Sequence, residues 1–252
     1  MTKAIDLNCD LGEWRSSEGS TTDARIMPFI SSCNIACGGH IGDEYTMKKT
    51  VELALQHEVK IGAHPSYPDT VNFGRFEMHI LPSRLFESIS NQIFRLQSIA
   101  HEMGTELHHI KPHGALYNVA ARDETTAEVI VNTVGYLFPG IPVFAPFSSK
   151  LAEIAPEFNI RIIAEVFADR AYEDDLSLLS RSLEGAVLHQ TDEVLEHVRS
   201  MVMDGEVCTL SGARIPIKAE TMCLHSDTEG SIQLAQEIHQ FLTANNVTIT
   251  SP

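Results

Sequence analysis

Short apolar stretches recur along the chain, and a group of polar residues follows each of them. The stretches cover residues 4–5, 30–35, 61–63, 107–110, 162–164 and 222–224. Apolar runs of this length, bounded by polar and turn-forming residues, are typical of strands buried in a sheet. The pattern therefore predicts a set of interior strands, each ending next to residues that carry chemistry.

The segments between these stretches have their apolar residues at the spacing of a helix face. They predict helices over residues 43–57, 83–103, 125–137, 149–158, 192–203 and 231–242. Asp43 suits the cap of the first helix, and Gly104 stops the second. Strands that alternate with helices indicate an α/β fold, and the chain accommodates about seven such units.

Two architectures fit this alternation, a closed barrel and an open doubly wound sheet. No GxGxxG motif opens a helix after the first strand and no GK[ST] phosphate loop occurs, which counts against a dinucleotide-binding sheet. We therefore predict an irregular (β/α) barrel with seven strands, similar to a TIM barrel. No linker rich in serine, glycine or proline divides the chain, so a single domain over residues 1–252 is expected.

Composition narrows the classes of partner. The 252 residues include 34 acidic and 18 basic side chains, and the formal charge of −16 argues against nucleic acid and an anionic membrane. No apolar run approaches the roughly 18–20 residues that a membrane span needs, and no signal peptide is recognisable, so a cytoplasmic protein is expected. The five cysteines include no CxxC pair and suggest neither a disulfide framework nor a structural zinc site.

The first candidate residues lie near the amino terminus. Asn8, Asp10 and Glu13 place amide and carboxylate groups on the same side of a strand end. The glycine-dense stretch 34–43 offers backbone N–H groups and titratable side chains to a ligand. Its candidate residues are Asn34, Gly38, His40 and Asp43. A helix cap and an ordinary turn remain the alternatives for these two segments.

Later strand ends supply further candidates, which should converge because parallel strands end on one side of a sheet. Asp10, His64 and His113 would form a metal triad with open positions for water and substrate. Lys111 suits a substrate carboxylate or phosphate, or simply extends from a strand end to solvent. The remaining candidates are Glu165, Asp169 and Arg170, for which a structural ion pair is the alternative, with weaker hints at Arg75 and His225.

These segments together resemble the LamB/YcsF family. The matching strings are DLNCDLGE from Asp6, NIACGGHIGD from Asn34, IGAHPSYPD from Ile61, FGR from Phe73, KPHGALYN from Lys111, EVFADRAY from Glu165 and HSD from His225. The resemblance runs from about residue 5 to residue 249. It implies an irregular (β/α) barrel similar to those of carbohydrate deacetylases.

The resemblance also implies an activity, because the family includes one of the subunits of bacterial 5-oxoprolinase. It implies the opening of 5-oxo-L-proline to L-glutamate, with ATP and Mg²⁺ as co-substrate and two further subunits as partners. The catalytic candidates are then Asp10, His40, Lys111, Asp169 and Arg170. The substrate-binding candidates are Asn8, Asn34, Gly38, Asp43, Arg75, Glu165 and His225. A divalent metal would be held by Asp10, His64 and His113.

Three positions depart from the family pattern in ways that bear on the choice of substrate. Phe76 stands where a second arginine usually follows FGR, Leu176 where a glycine is expected, and Ser226 where HGD has glycine. Two other functions stay open. One is a stand-alone metal-dependent deacetylase or amidohydrolase, and the other is a subunit that only binds the small acid and presents it to catalytic partners.

Overall fold

Seven parallel strands form the centre of the computed structural model, which describes residues 3–16, 22–227 and 230–252. They are β1 Ala4–Leu11, β2 Ser32–Ala36, β3 Lys60–His64, β4 His109–Ile110, β5 Val143–Pro146, β6 Ile162–Phe167 and β9 Thr221–His225. They pair in this order, and β9 pairs back onto β1, which closes a barrel. The predicted seven-stranded (β/α) barrel is confirmed, and the open sheet is excluded.

Among the described residues, three short strands lie outside this ring. The strand β10, Thr248–Ile249, runs parallel to the start of β1 and pairs with it. The strands β7, Glu206–Cys208, and β8, Arg214–Pro216, form an antiparallel hairpin between β6 and β9 in the chain. The sequence pattern identified neither β5 nor these three strands, which have two to four residues each.

Helices follow most of the barrel strands. Their bounds are α1 Thr22–Ile26, α2 Glu44–Gln56, α3 Pro82–Glu102, α4 Gly114–Ala120, α5 Glu124–Leu137, α6 Lys150–Ile154, α7 Thr191–Arg199 and α8 Ser231–Ala244. Short 3-10 turns follow α1 and α6, and a π-helical turn, Ser200–Asp204, continues α7. Within the described ranges, no helix is long and apolar enough to cross a membrane.

Local chemistry explains where the two long helices near the site begin and end. Asp43 caps α2, since its side chain accepts the Thr46 N–H and the Thr46 hydroxyl accepts the Asp43 N–H in return. Pro82 suits the first turn of α3, where its missing N–H costs nothing. Gly104, with a φ of 76°, follows the end of α3. The predicted helices 43–57 and 83–103 therefore match within one or two residues.

The barrel interior is polar along β1, although both faces of this strand are buried. Leu7 and Cys9 belong to the apolar core, whereas Asn8 and Asp10 contact polar side chains of other strands. Asp10 lies level with Asn34 on β2 and with His225 on β9. Alternate residues of β1 therefore point to opposite sides of the strand. One side packs in the apolar core, and the other side carries the polar residues at the base of the site.

Candidate functional site

A cavity of about 940 Å³ opens at the carboxyl ends of the barrel strands. Asp10, His64, Lys111, Glu165 and His225 line it, each from a different strand or the residues just after one. The carboxyl end of a parallel barrel is where strands bring distant residues together, so the sequence places its polar groups where a site can form. The volume suits a small ligand with room to spare.

Lys111 lies in the centre of a buried polar cluster. Its Nζ is 3.0 Å from Asp10 Oδ1, 2.9 Å from Glu165 Oε1 and 2.9 Å from Cys223 Sγ, and 3.3 Å from Asn8 Oδ1. Burial alone would lower the pKa of Lys111, but Asp10, Cys223 and Glu165 raise it well above the ordinary value. Four acceptors therefore hold a permanent ammonium ion.

This arrangement corrects the role predicted for Lys111. An ammonium group has three N–H donors, and protein acceptors already surround them. The cation balances two carboxylates inside the barrel, so it is a positioning residue and no longer a candidate anion binder. Burial would raise the pKa of Asp10, but His64 and Lys111 hold it well below its usual range. Asp10 is thus ionised.

A row of amides orients these carboxylates. Asn34 Nδ2 donates to both Asn8 Oδ1 and Asp10 Oδ1 at 2.7 Å, and Asn8 Nδ2 donates to Glu165 Oε1 at 3.0 Å. Asn34 Oδ1 lies 2.7 Å from His109 Nε2, which fixes the orientation of the Asn34 amide because that nitrogen must donate. Asn8 and Asn34, predicted to bind substrate, are therefore hydrogen-bonded within the barrel.

His109 has no role predicted from the sequence, yet it completes this row. Its ring stacks on Phe144 with centroids 3.9 Å apart and fills the barrel interior opposite Gly62. A Cβ at Gly62 would lie 2.1 Å from His109 Nε2, so only glycine fits there. A glycine inside the strand pattern 61–63 was the available signal for this close approach.

Two histidine nitrogens and two carboxylate oxygens, one of them from Asp10, face one another in the site. His64 Nδ1 donates to the Lys111 carbonyl at 2.7 Å, and His113 Nε2 donates to the Phe73 carbonyl at 2.9 Å. The remaining nitrogens, His64 Nε2 and His113 Nδ1, lie 3.0 Å apart. Asp10 Oδ2 is 3.3 Å from His64 Nε2, and Glu13 Oε1 is 3.4 Å from His113 Nδ1.

This geometry requires a positive charge between the groups. Burial and the neighbouring His40 lower the pKa of His113 well below its ordinary value, so its Nδ1 is a bare acceptor. Two imidazole acceptors and two carboxylate oxygens repel one another unless a proton or a cation lies among them. Imidazoles whose other N–H is fixed by a backbone carbonyl are the usual ligands of a metal ion. Asp10, His64 and His113 fit such an ion.

His40 and Glu13 form the wall behind this group. The His40 ring stacks on His113 with centroids 3.7 Å apart, and its Nε2 lies 2.9 Å from Glu13 Oε1. Burial, with His64, lowers the pKa of His40 well below its usual value, so this ring is neutral. The sequence pattern groups Glu13 with Asn8 and Asp10 but assigns it no specific role. Its oxygen contacts both rings and makes it part of the site.

His225 and Asp169 form a pair on the other side of Asp10. His225 Nδ1 lies 2.9 Å and 3.1 Å from the two oxygens of Asp169. Burial would raise the pKa of Asp169, but His225 lowers it below the ordinary value. The carboxylate fixes Nδ1 as the protonated nitrogen, which leaves Nε2 of His225 for proton transfer. Asp169 therefore orients the ring of His225, and His225 lines the cavity.

Three predicted site residues have other uses in the structure. The Gly38 N–H donates to Ile41 O within a turn, and a Cβ at Gly38 would meet the Arg95 side chain at 2.7 Å. Asp43 caps α2. Arg170 donates from Nε to Ala186 O and from Nη2 to Leu179 O, so it ties down the segment 171–188.

The roles predicted for these three residues are therefore corrected. The glycine stretch 34–43 does not offer the Gly38 N–H to a ligand, because close packing explains this glycine. Asp43 stabilises a helix end, and Arg170 stabilises a loop. Arg75 remains at the cavity rim, where it pairs with Asp227.

The fold and the site together define a class, that of irregular seven-stranded (β/α) barrels with a histidine and carboxylate centre at the carboxyl ends of the strands. The sequence model of the LamB/YcsF family matches residues 5–252. The chain belongs to the LamB/YcsF family.

Relatives and solved structures agree with this assignment. A protein from Bacillus cereus (strain 03BB102), named as the A subunit of 5-oxoprolinase, is 39% identical over 249 residues, which are 98% of each chain. The lactam utilization protein from Thermus thermophilus superimposes with a TM-score of 0.93 and 34% identity, over 99% of this chain and 100% of that one. The peptidoglycan deacetylase PdaC from Bacillus subtilis, at 15% identity and a TM-score of 0.51, shares the fold over 99% of this chain and 88% of its own.

Proposed function

We propose that this chain is one subunit of an ATP-dependent 5-oxoprolinase, which opens the lactam of 5-oxo-L-proline to L-glutamate together with two further subunits. The observation that carries the proposal is the full-length match, at 39% identity, to relatives named as the A subunit of 5-oxoprolinase. The site adds the chemistry that ring opening needs, since an ionised carboxylate, the neutral imidazole of His113 and a carboxylate-paired histidine share one cavity.

The overall reaction consumes ATP and two water molecules and yields glutamate, ADP and phosphate. Transfer of the γ-phosphoryl group to the lactam oxygen makes the ring carbon electrophilic and releases ADP. Water then adds to that carbon, and the carbon–nitrogen bond breaks as the nitrogen takes up a proton. A second water displaces phosphate from the resulting acyl phosphate. ATP with Mg²⁺ enters as the co-substrate of the assembled enzyme.

Residues of this chain carry out the proton transfers of the ring-opening step. Asp10, ionised and held by Lys111 and Asn34, accepts a proton from the attacking water. His225, oriented by Asp169, donates a proton to the ring nitrogen as the carbon–nitrogen bond breaks. Lys111 acts through Asp10, because its ammonium group keeps the buried carboxylates ionised and holds Asp10 in place.

A divalent metal belongs to this proposal, held by Asp10, His64 and His113 with Glu13 beside them. Bound there, a divalent ion would act as a Lewis acid and lower the pKa of a water molecule. We expect purified protein to retain roughly one divalent ion per chain in elemental analysis, since two imidazoles and a carboxylate suit zinc-like ions. His64→Ala and His113→Ala should lose the ion, whereas His101→Ala, on the exposed side of α3, should keep it. Equal metal content in all four proteins would remove the metal from the proposal.

The central experiment measures ATP-dependent glutamate formation from 5-oxoproline by the assembled subunits. Omission of this chain should abolish glutamate formation, and His225→Gln should reduce it by about a hundredfold or more, the usual loss on removing a general acid. His57→Gln, at an exposed position after α2, is the matched control and should keep full activity. Full turnover with His225→Gln and with Asp10→Asn would instead support the subunit that only presents substrate.

A stand-alone metal-dependent deacetylase is the second candidate, because Asp10, His64 and His113 form a triad suited to metal-assisted hydrolysis. The chain alone would then release acetate from acetylated sugars without ATP. Such an activity, together with no 5-oxoproline turnover in the assembled enzyme, would favour this candidate over the proposal.

A further inference from the structure

A ligand with a carboxylate needs cationic partners in this cavity, and the expected ones are already used. Lys111 is surrounded by Asp10, Glu165, Cys223 and Asn8. Arg170 donates to two backbone carbonyls. Among the described residues lining the cavity, the other arginines are Arg75, Arg122 and Arg181.

Two of these arginines converge on one point. Arg75 Nη2 and Arg181 Nη1 both contact the same atom, Asp227 Oδ2, the latter at 3.4 Å. Burial would raise the pKa of Asp227, but Arg181, His225 and Arg75 lower it, so the carboxylate is ionised. Two guanidinium groups around one carboxylate leave a net positive charge, which is the arrangement that binds an external carboxylate.

The chain fixes this pair beside the reaction centre. Phe73, whose carbonyl accepts the His113 N–H, is two residues before Arg75 and stacks under its guanidinium at 5.0 Å. Gly74 between them has a φ of 64°, and a Cβ there would press on His113, His40 and Ser66 at 3.0–3.3 Å. On the other side, Ser226 donates from Oγ to the Asp10 carbonyl at 2.7 Å, immediately before Asp227.

We propose that Arg75 and Arg181 form the subsite for the carboxylate of 5-oxo-L-proline, and that Asp227 occupies this subsite until the substrate displaces it. The inference rests on the proposed function and names how that site recognises its substrate. The ring then lies between the arginine pair and the group formed by Asp10 and His225. Arg181, which no motif indicated, becomes a specificity-determining residue.

This arrangement predicts opposite effects for the two sides of one ion pair. Removal of Arg181 takes away a substrate contact, so binding weakens. Removal of the Asp227 charge takes away a competitor, so binding tightens. A merely structural ion pair behaves differently, because the loss of either partner then disturbs the rim in the same direction.

The test compares steady-state kinetics of the assembled enzyme carrying Arg181→Gln, Asp227→Asn or Arg122→Gln. We expect Arg181→Gln to raise KM for 5-oxoproline by about tenfold or more, and Asp227→Asn to lower it by at least about threefold. Arg122→Gln is the matched control, since Arg122 lines the same cavity but pairs with Glu77 at 2.7 Å, and its KM should stay as in the wild type. Thermal unfolding of each variant verifies that the chain is folded.

Inhibition by 2-pyrrolidinone, which has the same ring as 5-oxoproline but no carboxylate, tests whether the carboxylate is the group that the two arginines recognise. Its inhibition constant should be the same in all three variants and in the wild type. The inference is overturned if Arg181→Gln and Asp227→Asn shift KM in the same direction, if neither shifts it, or if 2-pyrrolidinone responds as strongly as 5-oxoproline. Absence of ATP-dependent turnover in the wild-type assembly would instead overturn the proposed function, so the two failures are distinguishable.

Discussion

Individual hydrogen bonds and ion pairs set the protonation of the groups around Asp10. Asp169 fixes which nitrogen of His225 is protonated, and His64 and Lys111 hold the pKa of Asp10 well below its usual range. These contacts involve residues far apart in the chain, and each is buried by the barrel. The chemistry of the site therefore depends on a few atoms whose partners come from other strands.

The Asp169 and His225 pair makes a pH-dependent contribution to stability. The pKa of Asp169 in the folded protein is below its ordinary value of 3.8. Folding therefore favours the ionised form, so the contribution is complete above the ordinary pKa and is lost as the pH falls through the lower folded value.

We expect Asp169→Asn to lower the free energy of unfolding by about 1.5–3 kcal/mol at pH 7, the range for a hydrogen bond to a charged group. The difference from the wild type should shrink as the pH falls below about 4. Urea unfolding at several pH values between 7 and 2 measures it. A difference that stays constant over this range would contradict the ionised pair.

At this scale, the sequence indicated the side chains but not their partners. Asp10, His64, Lys111 and His113 each follow an apolar stretch within a few residues, and the structure brings all four together. The role predicted for Lys111 was nevertheless wrong, because its acceptors lie on other strands at distances in sequence that no pattern reveals. Arg181 had no signal at all, since it lies in a segment without periodicity.

At the scale of elements, helix ends account for one residue that the motifs placed in the site. Asp43 lies in the string NIACGGHIGD next to His40, yet its carboxylate accepts the Thr46 N–H at 2.9 Å. A capped first turn fixes where α2 starts. It thereby fixes the path of the chain from β2 to the helix.

Replacement of Asp43 separates the cap from a role in binding. Asp43→Ala should lower the free energy of unfolding by about 1 kcal/mol, the typical value of a lost helix cap. Asp43→Ser retains a capping oxygen and should restore most of that stability. KM for 5-oxoproline should be unchanged in both, and a KM that rises in the serine variant would assign Asp43 to the substrate instead.

Periodicity identified the long elements well and the short ones poorly. The segments 43–57 and 83–103 carry apolar residues over several turns and correspond to α2 and α3. The strand β5 has four residues and ends in proline, and α4 has seven residues, five of which belong to the motif string KPHGALYN. Elements this short have too few residues to show a period, so only pairing with neighbours defines them.

At the scale of the whole molecule, closure of the ring joins the two ends of the sequence. The strand β9 pairs with β1, and β10 pairs with the start of β1. The helix α8 connects β9 to β10. We therefore propose that the chain unfolds as one domain. Calorimetry should show one transition with a ratio of van't Hoff to calorimetric enthalpy of about one. Two resolved transitions would contradict the single domain over residues 1–252.

The barrel is filled directly below the site, where His109 stacks on Phe144 and hydrogen-bonds to Asn34. These side chains close the base of the cavity, so a small molecule would enter it from the rim at the carboxyl ends of the strands. A partner protein bound over that rim would therefore control the access of small molecules to the cavity.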